Sequence, residues 1–334
     1  MLFFVLIHHA VDAGWGTVAR RWAENFLAAL PWLVLLFLPI YFFKGTIYEW
    51  VDADDHLKHV KEPFLNPRSF GLRAIIYFLA WITLARFYRS RSLLQDTTGD
   101  PAASLSLRRW APLGLILYAL TATFAAIDWF MSVDYHWFST MWGVYIFAHG
   151  ALAAFALLAI TAVRMRAGPL QEQVHEEMLH DIGKLTFAFS VFWAYIAFSQ
   201  WFLIWYGNIP EETIWMITRA QGVWATARWV MVALLFVIPF VFLMSAGAKR
   251  NPKILVPVGI GILVGTFTGM HWIVMPANHP VSFGIGQVLL DIAALLLVFG
   301  VCGTAISRAF AAAPLYPLKD PRLGEAFAEH AHDQ

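Results

Sequence analysis

One cysteine, Cys302, is all that a chain of 334 residues contains, and it falls in an apolar run. An iron–sulfur cluster needs several thiolates and a covalently attached haem needs its own cysteines, so this chain alone supplies neither. Charge is scarce as well. Asp, Glu, Lys and Arg make up 13% of the residues, against 60% hydrophobic, and an average soluble domain carries about 25% charged residues. The net charge of +1 offers no basic surface for nucleic acid. Credible strands are missing, and with them any strand-borne Gly-rich phosphate loop. These absences leave a membrane protein built of helices.

Long apolar runs are what the chain has in quantity. Read against their charged interruptions, they predict eight full spans, at roughly 25–43, 71–89, 110–131, 138–163, 184–206, 220–246, 254–274 and 283–307. The run through FSVFWAYIAFSQWFLIWY illustrates them, with Trp201, Trp205 and Tyr206 at one end as an interfacial aromatic belt and Ser199 and Gln200 as polar groups that need partners. Met1 to Ala10 reads as the second half of a further span, because it is too short to cross a bilayer and lacks the basic region and cleavage site of a signal peptide. Met1 is therefore expected to lie inside the true first helices. Proline within spans (Pro31, Pro39, Pro112, Pro239, Pro257) is tolerated where neighbouring helices satisfy the freed carbonyls. The expected fold class is all-α: a polytopic transmembrane helix bundle over residues 1–307, with a tail at 308–334.

Lys and Arg sort the loops. Arg20 and Arg21 lie in the first connection; Arg86, Arg89, Arg91, Arg108 and Arg109 in the third; Arg164, Arg166 and Lys184 in the fifth; Lys249, Arg250 and Lys253 in the seventh. Loops at 132–137, 207–218 and 275–282 carry none. The positive-inside rule then places the basic loops and the tail in the cytoplasm of a bacterial inner membrane. The second loop, 44–70, holds Lys44, Lys58, Lys61 and Arg68 yet falls outside by alternation. Its length and its acids suggest a folded docking segment.

Ionisable residues in spans cost about 2.5–3.5 kcal/mol at the bilayer centre on insertion scales, so they usually face the bundle interior or water. Asp128, near the outer end of its span, reads either as a buttress of the short turn that follows or as a proton acceptor open to the outer face. His149 lies near mid-membrane with Tyr145 one turn earlier on the same face, as a satisfied buried histidine or as a ligand-binding one. Gln221, Trp224 and Arg228 share a face that could aim an amide and a guanidinium at a carbonyl oxygen or at Asp128, or could form an internal ion pair. Gln287 and Asp291 form a one-turn pair in the last span, and His271 follows Thr268 at the end of the span before. Asp and His at several depths are what a proton relay needs. No metal site is expected, and the paired histidines of a b-type haem are missing.

AIDWFMSVDYHWFSTMWGVY (126–145), HDIGKLTFAFSVFWAYIAFSQWFLIWYGNIPEET (180–213) and IPFVFLMSAGAKRNPKIL (238–255) resemble a membrane subunit of bacterial alternative complex III, a quinol:electron-acceptor oxidoreductase. The nearer likeness is to its F subunit, of the NrfD or polysulfide-reductase type, and it extends over nearly the whole chain. The resemblance implies about ten helices around two four-helix bundles, of which this chain lacks one and a half at the N-terminus. It also implies a subunit carrying no metal of its own. Its partners would be a paralogous NrfD-like membrane subunit, an iron–sulfur subunit, multihaem cytochrome c subunits, small membrane subunits and a terminal oxidase, with lipids around them and haem c and iron–sulfur clusters in those partners.

The function so implied is structural support with a quinone-binding or proton-translocation path. Were quinol to bind, Asp128 or His149 would serve as base and Arg228 or Gln221 would orient the other oxygen. Two other classes stay open: a proton-coupled solute transporter, and the membrane anchor of a polysulfide-reductase-type molybdoenzyme working toward quinone reduction.

Overall fold

The computed structural model describes residues 1–277 and 284–328, and every regular element among them is a helix. Helix α1 (Leu2–Ala10) is short and buried on most of its length. Helices α2 (Thr17–Phe26) and α3 (Leu30–Phe42) join through the 3-10 turn Leu27–Ala29 into one span. The following loop holds α4 (Lys44–Ile47) and α5 (His56–Lys61). Then come α6 (Pro67–Thr98), α7 (Pro101–Trp129), α8 (Trp142–Arg166) and α9 (Glu176–Gly207). Helix α10 (Pro210–Thr218) lies in a connection, and α11 (Gly222–Val232) continues through a π segment, Ala233–Val237, into α12 (Ile238–Phe242). Helices α13 (Ala246–Arg250), α14 (Pro252–Val274), α15 (Ile285–Ala311) and α16 (Leu323–Ala328) complete the chain.

Eight of these helical stretches are long and apolar enough to cross a membrane, each overlapping one predicted span. Their ends are written in the sequence. Proline stands in the first turn of α6, α7, α10 and α14, where its missing N–H removes no helix bond. Asn66, Asp100 and Asn251 cap α6, α7 and α14 by accepting a backbone N–H. Gly99, at φ +68°, and Asn208, at φ 47°, stop α6 and α9 in the left-handed region. The α6–α7 hairpin therefore turns on Gly99 and Asp100 alone.

Helix α8 is the hub. Of its most apolar window 61% is buried, against 6% for α15, so α8 is packed by protein while α15 presents its sides to the surroundings. Small residues let the neighbours approach: a Cβ on Gly259 of α14 would lie 3.3 Å from the Ala156 carbonyl oxygen of α8. Helix α1 packs on α7, α2 and α6, and its Phe3 and Phe4 meet Phe147 and Phe155 of α8.

The two ends of the bundle differ in chemistry. At the basic end the tail folds back onto the first span. Trp22 Nε1 donates to the Leu315 carbonyl at 2.9 Å, and the Leu318 N–H to Asp96 at 2.8 Å. Residues 312–322, which include Pro314, Pro317 and Pro321, are irregular, and side-chain contacts fix their path; residues 329–334 lie outside the described residues. At the opposite, aromatic end the 44–70 loop is folded around Tyr48, Trp50, Leu65 and Phe70, packed on Val133 and Tyr135. Its lysines are used internally: Lys58 Nζ donates to the Leu65 carbonyl and Lys61 Nζ to that of Tyr135, at 2.7 and 2.6 Å. Asp55 accepts from the Lys58 N–H and the Tyr135 hydroxyl. Those two hydrogen bonds hold its carboxyl below the usual carboxylate range.

Candidate functional site

A cavity of about 660 Å³ opens at the aromatic end, between α9 and the α11–π segment. Its inner wall is Tyr145, Trp193, Trp215 and Trp272, all buried. Tyr195, Phe198, Trp201 and Trp229 form its rim and are exposed on the apolar flank of the bundle. An occupant therefore arrives through the lipid-facing side. Apart from indole N–H groups, polar groups on the lining are few: the Tyr145 and Tyr195 hydroxyls, the Gln200 amide and the Arg228 guanidinium. Gln200 Nε2 donates to Ser139 Oγ at 2.6 Å, which gives the predicted polar group in α9 its partner and leaves its carbonyl oxygen unspent. No Asp or Glu lines the cavity among the described residues.

Two arginines lend this region its charge. Arg228 lies six residues into α11, about 9 Å along the axis from its first turn. Among the described residues its Nε is buried without a hydrogen-bond partner, and its guanidinium sits 5.1 Å from the Trp229 ring centroid. Arg219, in the connection between α10 and α11, is buried and stacks 3.7 Å from the centroid of Trp215. It donates to the carbonyls of Trp215 and Ile273 at 3.1 and 2.7 Å, and Trp272 Nε1 donates to its own carbonyl. Its Nε has no partner either. Burial pushes its guanidinium down to about 9, which leaves it charged at neutral pH.

His149 stands directly behind this wall. Its Nδ1 lies 3.1 Å from the Tyr145 carbonyl, one turn back on α8, and Trp193 Nε1 lies 2.9 Å from its Nε2 and 3.1 Å from its Nδ1. A carbonyl only accepts, so Nδ1 is the nitrogen that carries hydrogen, and Nε2 is left to accept the indole N–H. Both ring nitrogens are thereby engaged. Gly269 of α14 makes room for the ring, since a Cβ there would lie 2.9 Å from His149 Nε2. The π segment adds the remaining wall through Phe236; its wide turn turns the Leu235 carbonyl toward α9, where Ser190 Oγ donates to it. Such π bulges occur frequently at functional sites.

The predicted site residues fall into separate groups. Tyr145 and Arg228 line the cavity, and His149 backs it. Gln221 caps α11 and is exposed, and Trp224 is buried. Asp128 belongs elsewhere. Arg73 of α6 grips it with two hydrogen bonds, Nε to Oδ2 at 2.8 Å and Nη2 to Oδ1 at 2.7 Å, and the Tyr77 hydroxyl donates at 2.6 Å. Arg228 and Gln221 are therefore not its partners, because the tight α6–α7 hairpin sets Arg73 opposite it. With its oxygens so occupied and its side chain fully buried, Asp128 buttresses the outer turn.

His271 and Asp291 form a third group, Nε2 to Oδ2 at 3.1 Å across α14 and α15. Asp291 pairs with this histidine, and Gln287 instead accepts the Gly284 N–H at the start of α15. Of the loops read as free of Lys and Arg, the connection after α9 runs to Gln221 and contains Arg219. Residues 278–282 of the loop after α14 lie outside the description.

Arg73, Tyr77, Trp193 and Arg219 escaped the reading of the sequence. A basic residue a turn or two inside a span was the available signal for Arg73, and one stranded at a loop–span border was the signal for Arg219. Nothing marked Trp193 among sixteen tryptophans.

Compared with protein-family models and with curated proteins, the chain matches none of them. The class it belongs to is the one its helices show: an all-helical, multi-pass membrane protein.

Proposed function

We propose that this chain is a metal-free membrane subunit of a quinol:electron-acceptor oxidoreductase of the alternative complex III kind, and that its aromatic cavity holds a quinone. The observation that carries this reading is the lipid-facing cavity itself. Nine aromatic side chains, Tyr145, Trp193, Tyr195, Phe198, Trp201, Trp215, Trp229, Phe236 and Trp272, surround a volume suited to a substituted ring. Arg228, Gln200 and Tyr145 supply polar contacts for its oxygens. A water-soluble solute would find few hydrogen-bonding partners on that lining and an aromatic rim, which speaks against a solute transporter. Haem c and iron–sulfur clusters, in this reading, belong to partner subunits, and the basic end faces the bacterial cytoplasm.

Native purification tests the proposal. The expected result is co-purification with multihaem cytochrome and iron–sulfur subunits, together with a photoreactive quinone crosslinked to α9 or α11. A molybdoprotein partner would favour the reductase anchor, and crosslinking confined to other subunits would remove the quinone from this chain.

A further inference from the structure

The one charged side chain on the lining is a cation, with no anion to face it among the described residues, and this asymmetry discriminates between the two redox forms of a quinone. Arg228 offers guanidinium N–H groups that can only donate, with its Nε unspent among the described residues, whereas the Tyr145 and Tyr195 hydroxyls donate or accept and favour neither form. Arg219 adds a second positive charge one indole ring behind the lining. On the acceptor side, no carboxylate lines the cavity among the described residues, and the His149 lone pair is taken by Trp193. Asp134 acts on the Arg219 charge from a distance, and the buried Asp128 is spent on Arg73 and Tyr77. A quinone carries two carbonyl acceptors and no donor. A quinol carries two hydroxyls, each wanting an acceptor, and the Gln200 carbonyl is the one amide oxygen on the lining.

Resting on the quinone reading above, we propose that this cavity binds the oxidised ring in preference to the reduced one, and that it is not where quinol gives up its protons. Arg228 is the residue that sets this preference. Its guanidinium, held in an apolar wall without a carboxylate, is strengthened by the low local dielectric and finds its counterpart in a carbonyl oxygen of the ligand. The Arg219 charge favours the same polarity through Trp215. An anionic lipid headgroup shares the ligand chemistry, being rich in acceptors, so the test must separate the two.

The full chain in phosphatidylcholine nanodiscs would be titrated with decylubiquinone and, under anaerobic reduction, with decylubiquinol, following quenching of tryptophan fluorescence. The oxidised form should bind more tightly by about tenfold, the worth of one charge-assisted hydrogen bond. Arg228→Met should abolish that difference by weakening the oxidised form alone. Gln200→Glu, which places a carboxylate on the lining, should move the preference toward the quinol by a similar factor; this variant keeps the proposal testable should Arg228→Met fold poorly. Equal affinities, or tighter quinol binding, in the parent chain would overturn the preference while leaving the quinone reading in place. Absence of binding by either form would overturn both. Quenching produced by phosphatidylglycerol, with none by decylubiquinone, would give the cavity to a lipid headgroup and overturn the proposal.

Discussion

At the basic end, Arg20 and Arg21 are fully buried and share Glu24 between them at 3.3 Å each. Each also has a second carboxylate: Asp320 for Arg20 at 2.7 Å and Asp96 for Arg21 at 2.8 Å. Arg322 joins the same network through Asp320 and Asp12. At the aromatic end, Arg219 and Arg228 have no carboxylate in ion-pair contact among the described residues. Both pairs of arginines stand in apolar surroundings, and their partners differ. Where every guanidinium has a carboxylate in contact, the charges hold the tail, α2 and α6 together, even though Arg20 Nη1 is buried without a hydrogen-bond partner among the described residues. Where guanidiniums face rings and main-chain carbonyls alone, positive charge is left over beside a cavity. The aromatic end is thus the end prepared to bind something.

This contrast is best broken at its strongest point. Glu24→Gln should destabilise the chain by about 3–5 kcal/mol, because removing one member of a buried ion network strands the others; thermal unfolding in detergent measures it. A loss below 1 kcal/mol would mean that the network is not what holds the basic end. Asp128→Asn should cost about 3 kcal/mol by the same mechanism, since the Arg73 guanidinium then loses its carboxylate. Intact stability with lowered turnover would instead support the proton-acceptor reading of Asp128.

Smaller effects sharpen the picture of the cavity. Gly269→Ala should cost about 1–3 kcal/mol through overpacking, with the imidazole pushed off Trp193 and a change in tryptophan emission as the specific sign. Arg228→Met should change stability by less than about 1 kcal/mol, or raise it, because the variant removes a charge that no residue neutralises. A loss as large as that from Glu24→Gln would show that Arg228 has a structural partner and would erase the difference between the two ends.

The smallest effect is a dependence on pH. Burial alone would raise the Asp320 carboxyl, but the Arg20 and Arg322 charges outweigh it and hold it well below the ordinary range. A carboxyl lowered in the folded state contributes stability above its unfolded value, near 3.9, and loses it as pH falls toward the folded value. The stability gap between the parent chain and Asp320→Asn should therefore be flat from pH 7 to about 5 and narrow only below about pH 4. A gap that closes at pH 6 would indicate a different titrating group.

The sequence by itself determined the class, the number of full spans and most of the helix ends. Hydrophobic runs of about twenty residues have one stable form in a bilayer, where each backbone group must be satisfied within its own segment. Pro67, Pro101, Pro210 and Pro252 mark helix starts through local backbone chemistry, which needs no tertiary information. A folded 44–70 segment was likewise legible from its length and its mixed charge. Partners were not. The sequence shows that Asp128 and His149 are ionisable and buried, but the choice of Arg73 for one and Trp193 for the other depends on which helices adjoin and how each is rotated. The same holds for the pairing of His271 with Asp291, the return of Asp320 to Arg20 and the aromatic cavity, whose walls come from α8, α9, α10, α11, the π segment and α14. A hydrogen bond is specified by distances of a few tenths of an ångström between residues far apart in the chain. Periodicity carries the face of a helix, and only packing decides what that face meets.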